Sequence, residues 1–164
     1  EGMGTAVAVE LARRHAGAVR GIVAVGDLVA VPADDAGIQA QIEALTAITS
    51  GRARREFDST GYAPDTDRAV YQKAFAQWVK TDPRATLGDR RAQAEWSRGD
   101  APEVPTLVVI GEHTEPDARA AAEAVAAGWQ GAAVSELAGA GRRGVTEQPA
   151  ALAATINDFI GGLA

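Results

Sequence analysis

Apolar and polar positions along the 164-residue chain form blocks that predict alternating helices and buried strands. The first block, "TAVAVELARRHAGAVRG", places Val7, Leu11 and Val19 at helical spacing with small alanines between them. This pattern predicts a helix packed closely on a sheet. Gly17 is a candidate C-cap, because glycine adopts the left-handed conformation at low cost. The next block, "GIVAVGDLV", is uncharged until its end and β-branched, which predicts a short buried strand over 21–28.

The same alternation returns in the last third of the chain. "VPTLVVIGEHTEPD" predicts the clearest strand, with Pro105 before it and Gly111 after it. "PDARAAAEAVAAGW" predicts an alanine-rich helix with Pro116 in its first turn, where the missing N–H costs nothing. "GAAVSELAGAG" predicts a third strand, and "QPAALAATINDFIGGLA" predicts an amphipathic final helix. The inward face of that last helix would consist of Leu152, Ile156, Phe159 and Ile160.

Residues 36–99 have a different character. "GIQAQIEALTAITSGRARREF" and "DRAVYQKAFAQWVKTD" are helix-like, and the turn-rich "STGYAPDTD" separates them. The segment holds both tyrosines, two of the three tryptophans and two of the three phenylalanines. The second helix-like stretch would have an apolar face of Val70, Phe75, Trp78 and Val79. We therefore predict a helical cap or lid over a core formed by 1–35 and 100–164.

The order helix, strand, insert, strand, helix, strand, helix indicates an α/β fold with a parallel sheet and right-handed crossovers. Three strands alone make a narrow sheet, and the strand at 21–28 would have an unpaired edge. The chain also begins at Glu1 without a start methionine. We therefore expect that further polypeptide upstream of Glu1 completes the sheet.

Composition excludes several classes of function. The net charge of −6 argues against nucleic-acid binding, and the most basic stretch, "GRARREF", is short and typical of a solvated helix face. No apolar run approaches the ~20 residues of a membrane-spanning helix.

Zero cysteines exclude disulfides and thiolate zinc sites, and they fit a cytoplasmic protein. With two histidines, His15 and His113, we expect no metal site and no cofactor. Abundant alanine, glycine and arginine are typical of a high-GC bacterial source.

Three segments resemble the α/β-hydrolase superfamily of esterases, lactonases and haloperoxidases. "GMGTAVAVELARRHAGAVRGIVAVGD" looks like the segment that starts inside the nucleophile elbow. "VPTLVVIGEHTEPD" is similar to the strand and loop that carry the catalytic acid. "LAGAGRRGVTEQPAALAATINDFI" resembles the closing stretch, where "GAGH…EQP" is usual and the histidine is the base. The resemblance implies that five strands and two helices precede this chain, which would be the second half of a cleaved, split or fragmentary protein.

The chain departs from the family at each triad position. The elbow motif is G-x-S-x-G, and aligning it with "EGMG" places Gly2 where the serine is expected. Thr114 replaces the acid in "GEHT", and Arg142 replaces the histidine in "GAGR". Glycine carries no nucleophile, and a guanidinium keeps its proton, so Arg142 cannot act as a general base. The resemblance therefore predicts a protein that has lost Ser-His-Asp hydrolysis.

Three residues are candidate catalytic substitutes. Asp27 ends the first strand, where some family members carry their acid, although capping of the following loop is an alternative role. Glu115 would reach the pocket after a shift of one residue, or it would simply favour a helix N-terminus by its charge. His113 is the one imidazole near the carboxyl edge of the sheet, and the resemblance implies a structural role for it.

The pocket itself is a candidate anion site. The N–H of Met3, at a helix N-terminus, would point to where an oxyanion is held in the family. Arg142 would add a fixed positive charge, unless it turns outward with Arg143. Together these groups would favour a carboxylate, enolate or phenolate ligand.

Three functions remain open from the sequence. The first is a non-hydrolytic relative that binds a small, mostly apolar molecule under the insert and promotes a cyclisation, elimination or proton shift electrostatically. The second is a catalytically dead hydrolase kept for ligand binding or as a scaffold. The third is an ester or lactone hydrolase with a rearranged site. A saturable reaction lost on changing Arg142 or Asp27 would separate the first from the second.

Overall fold

A computed structural model describes residues 2–15, 17–26, 61–78, 80–81, 85, 92 and 101–163. The elements in chain order are helix α1 (Met3–Arg14), strand β1 (Ile22–Val25), helix α2 (Arg68–Trp78), strand β2 (Thr106–Gly111), helix α3 (Pro116–Gly128), strand β3 (Ala132–Leu137), short helix α4 (Gly144–Glu147) and helix α5 (Pro149–Gly161). None of the helices in these ranges combines the length and apolar character needed to cross a bilayer.

The three described strands form one sheet in the order β1-β2-β3. Both pairings are parallel, as the sequence predicts. Val25 is in register with Val109, and Gly111 is in register with Leu137. All six residues of β2 are buried, because it lies between the other strands and is covered on both faces. One face packs on α3, through Val108 and Ile110, and the other packs on α5, through Leu107 and Val109.

Helix α1 packs on the sheet with its smallest residues. Thr5, Ala6, Val9 and Ala12 are buried, and Val9 and Ala12 contact Ile22 of β1. The larger apolar residues of the predicted pattern, Val7 and Leu11, do not take part in this packing, since they are 59% and 47% exposed. Small side chains allow the helix axis to approach the strand closely, so the buried face is the alanine-rich one.

Other boundaries differ modestly from the predictions. Helix α1 ends at Arg14 with His15 as its C-cap, so Gly17, which has φ of 90°, lies two residues beyond the cap. A single helical turn, α4, precedes α5 and is not predicted. On α5, Leu152 is buried and Ile156 and Phe159 pack on the core, but Ile160 is 53% exposed, contrary to expectation.

Only part of the predicted insert lies within the described residues. In α2, the side chains of Val70 and Phe75 are half-buried, and Tyr71 packs edge-on against Tyr62 with ring centroids 5.7 Å apart. The predicted contacts of the Trp78 and Val79 side chains lie outside the described residues, as does the stretch 36–60.

Candidate functional site

The topology gathers the candidate residues at one edge of the sheet. Parallel strands end on the same side, so the segments that follow β1, β2 and β3 share the carboxyl edge. Helix α1 returns to the start of β1 through a short connection, which brings its own N-terminus to that edge. Gly2, Thr114, Glu115 and Arg142 all lie in these end segments. This is the edge at which open α/β sheets bind ligands.

Gly2 forms a sharp turn directly before α1. Its φ is 51° and its ψ is −123°, a combination that residues with a side chain adopt only under strain. The Thr5 N–H donates to the Gly2 carbonyl at 3.0 Å and closes the first turn of the helix. The N–H groups of Met3 and Gly4 have no acceptor within the helix, as at every helix start. Gly2 therefore turns the chain and leaves two donors at the helix N-terminus.

Two glycines bring the loops after β2 and β3 into backbone contact. A Cβ at Gly111 would collide with the carbonyl oxygens of Gly141 and Ala140. The N–H of His113 donates to Ala140 O at 2.9 Å, and the N–H of Glu112 donates to Leu137 O at 3.0 Å. The backbone after β2 and the loop after β3 consequently hold each other in place.

This backbone contact brings together two of the sequence-predicted residues, Glu115 and Arg142. Arg142 Nε lies 2.9 Å from Glu115 Oε2, and their side chains are 22% and 34% exposed. The contact is an ion pair by distance, without the alignment of a hydrogen bond. Arg142 therefore faces the neighbouring loop, and its charge has a counter-charge within the site.

Thr114 lies beside this pair, at the predicted acid position. Its N–H donates to Gly111 O at 3.1 Å, which closes a turn after β2. Its hydroxyl oxygen is buried and has no hydrogen-bond partner among the described residues. Leaving such a group unsatisfied costs about 1–3 kcal/mol.

The other sequence-predicted residues are placed less centrally. His113 uses its backbone N–H to bind the loop after β3, while its side chain is exposed. Met3 is half-buried in the first turn of α1. Asp27 lies outside the described residues, so its role remains a prediction. Within the described ranges, no group of three or more histidine, aspartate and glutamate side chains could hold a metal ion.

Sequence reasoning missed Glu147, which joins the predicted insert to the core. One carboxylate oxygen accepts from Ala63 N and from Thr66 Oγ1, each at 2.6 Å, and the other accepts from Gly141 N at 2.9 Å. Gly141 also contacts the 61–63 backbone, where a Cβ would meet Gly61 O at 2.7 Å. Glu147 thus fixes the 61–66 segment against the loop that carries Arg142. The only sequence signal was its place in the "EQP" that closes the family resemblance.

Comparison with solved structures identifies this architecture. The chain is similar to a thermophilic esterase from Thermogutta terrifontis, with TM-score 0.78 and 18% identity over 98% of this chain. It is also similar to an esterase from Exiguobacterium antarcticum (TM-score 0.76, 16% identity, 97% of this chain). A third neighbour is an α/β-hydrolase from a Medee basin deep-sea metagenome library (TM-score 0.66, 14% identity, 97% of this chain). The chain has part of the α/β-hydrolase fold.

The chain matches only part of each of these solved structures. This chain spans 62%, 64% and 62% of the three neighbours' lengths, so a third or more of each neighbour has no counterpart here. No protein-family model matches the chain, and no curated protein matches it in sequence. At identities of 14–18%, the comparison concerns the α/β-hydrolase fold alone. It confirms the predicted fold and leaves the activity to be argued from the residues.

Proposed function

We propose that this chain is a non-hydrolytic protein of the α/β-hydrolase fold that binds a small, largely apolar, anionic molecule at the carboxyl edge of its sheet. The observation that carries the proposal is the ion pair between Arg142 and Glu115. In a Ser-His-Asp site, an acid orients a histidine that accepts and returns a proton. Here the two loops hold a fixed cation and its counter-anion.

This pair cannot replace the acid and base of a serine hydrolase. Arginine keeps its proton at every pH at which proteins fold, so Arg142 cannot accept one from a nucleophile. The resemblance places Gly2 at the nucleophile position, and its turn geometry there supports that placement. Without a side chain, Gly2 cannot carry an acyl group. We therefore propose that this chain has lost Ser-His-Asp hydrolysis.

The groups that remain are suited to holding negative charge. The N–H groups at the start of α1, which have no acceptor within the helix, lie at the positive end of the helix dipole. Arg142 adds a guanidinium beside Gly61, where its Nη2 would lie 3.6 Å from a Cβ at that position. A reaction in such a site would be a cyclisation, elimination or proton shift in which negative charge develops on the ligand.

Calorimetric titration with naphthalene-2-carboxylate and with the isosteric naphthalene-2-carboxamide tests this proposal. We expect the carboxylate to bind more tightly, and Arg142→Gln to weaken carboxylate binding by ~10-fold while the amide is unaffected. Arg20→Gln is the matched control, since Arg20 is exposed and precedes β1, at the opposite edge of the sheet. Equal affinity of wild type and Arg142→Gln for the carboxylate would reject the anion site. Binding of neither compound would favour the scaffold function.

A further inference from the structure

Two guanidinium groups, those of Arg142 and Arg143, lie next to Gly61. A Cβ at Gly61 would lie 3.6 Å from Arg142 Nη2 and 3.7 Å from Arg143 Nε. Both side chains are therefore in contact range of the same point beside the Gly61 backbone. Because glycine has no side chain, the chain itself places nothing at that point.

Backbone packing fixes the position of Gly61 beside the two arginines. Glu147 accepts from Ala63 N at 2.6 Å and from Gly141 N at 2.9 Å, so it joins the 61–63 segment to the loop that carries both arginines. A Cβ at Gly141 would meet Gly61 O at 2.7 Å, which shows how closely the two backbones approach. Gly61 is buried in this contact. The arrangement is therefore held by groups other than the guanidinium groups themselves.

The two arginines differ in whether their charge is balanced. Arg142 has Glu115 as a counter-ion, with 2.9 Å between Nε and Oε2, whereas no acidic side chain of the described residues pairs with Arg143. Glu147 is the other carboxylate nearby, but two backbone N–H groups and a threonine hydroxyl donate to its oxygens. One guanidinium beside Gly61 thus lacks a counter-ion within the described ranges, and a ligand with one negative charge would supply it.

We propose that Arg142 and Arg143 together bind the carboxylate of a monoanionic ligand beside Gly61. Each guanidinium donates to a carboxylate oxygen, and such charge-assisted hydrogen bonds are stronger than neutral ones. Gly61 determines specificity, because a side chain there would occupy the place of the carboxylate. The inference rests on the proposed function, which it deepens by assigning the position of the anionic group and a second residue that binds it.

An aspartate at position 61 would supply the carboxylate from within the chain. The φ of Gly61 lies outside the left-handed region, and a Cβ there would make only ordinary contacts, so a side chain fits without backbone strain. Gly61→Asp should therefore melt about 2–4 °C above its uncharged isostere Gly61→Asn. Adding Arg143→Gln to both variants should reduce this difference. Equal melting temperatures of Gly61→Asp and Gly61→Asn would overturn the proposal.

Calorimetric titration with naphthalene-2-carboxylate gives a second measurement. We expect Arg143→Gln to weaken binding by about 5-fold and Gly61→Asp to abolish it. Arg20→Gln, at an exposed arginine that precedes β1, is the control and should bind as wild type does. Weaker binding in Arg142→Gln with unchanged binding in Arg143→Gln would overturn this inference and leave the proposed function standing. Absence of carboxylate binding by the wild type would overturn both.

Discussion

Arg142 Nε lies 2.9 Å from Glu115 Oε2, and this ion pair joins the loop after β3 to the residue that precedes α3. The two groups are partly buried, so each stabilises the charge of the other in a setting where water screens them less than on an open surface. The pair lies at the sheet edge where the fold places its ligands. If an anion binds there as we propose, the charge that it meets depends on both residues.

Neutralising Glu115 should therefore strengthen anion binding. Glu115→Gln keeps the shape of the side chain but removes the counter-charge of Arg142. We expect the affinity for naphthalene-2-carboxylate to rise about 3- to 10-fold, while Arg142→Gln lowers it. Titration of wild type, both single variants and the double variant measures the coupling. If Glu115→Gln and Arg142→Gln both weaken binding equally, the pair acts only through the structure of the loops.

Gly111 is expected to be essential for the close approach of the two loops. In Gly111→Ala, the new methyl group would collide with the carbonyl oxygens of Gly141 and Ala140. We expect a loss of at least ~2 kcal/mol in the free energy of unfolding, as for overpacked interiors. Gly128→Ala at the end of α3 is the control, because a Cβ there meets nothing within 4 Å. Urea unfolding of both variants measures the difference, and similar stabilities would refute the predicted collision.

Glu147 should contribute more to the free energy of unfolding than the exposed Glu123 does. In Glu147→Gln, one oxygen becomes an amide group that cannot accept from all of Ala63, Thr66 and Gly141. The cost in unfolding free energy should be about 1–3 kcal/mol, with faster proteolysis near 61–66. Glu123→Gln, at an exposed glutamate 3.9 Å from Arg119, should change stability by less than ~0.5 kcal/mol. Comparable losses in both variants would contradict the anchoring role.

Gly2 is expected to be a position at which only glycine avoids strain. With φ of 51° and ψ of −123°, Gly2→Ala should destabilise the fold by about 1–3 kcal/mol. Gly4→Ala lies two residues on, inside α1, where a Cβ has open space. It should stabilise the helix by about 0.5–1 kcal/mol. Thermal unfolding of the two variants is the measurement. A neutral Gly2→Ala would contradict the strained turn.

Periodicity predicted the fold well because strands and helices of this chain differ clearly in their local patterns. The uncharged, β-branched "IVAV" and "TLVVIG" are typical of buried strands, and Pro116 marks the first turn of α3 as expected. Helix α1 shows the limit of that reasoning. Its apolar residues Val7 and Leu11 are exposed, and tertiary packing buries a face rich in small residues instead.

The candidate site residues were named from residue type and motif, and the contacts between them were not predicted. Thr114, Glu115 and Arg142 were singled out separately, and their proximity follows from the register of β2 with β3 and from close glycine packing, which no local pattern reveals. Glu147 was missed because its three partners lie 6 to 84 residues away along the chain. Helical and strand periodicity does not predict contacts of this kind, because it depends only on the local order of apolar and polar residues.

The rate of 4-nitrophenyl butyrate hydrolysis by the natively purified protein tests most directly whether this chain has lost serine-hydrolase activity. We expect release of 4-nitrophenolate at the rate of buffer alone, since neither Gly2 nor Arg142 can serve a serine mechanism. Saturable turnover that is lost in Asp27→Asn, His113→Gln or Glu115→Gln would instead show a hydrolase with a rearranged site.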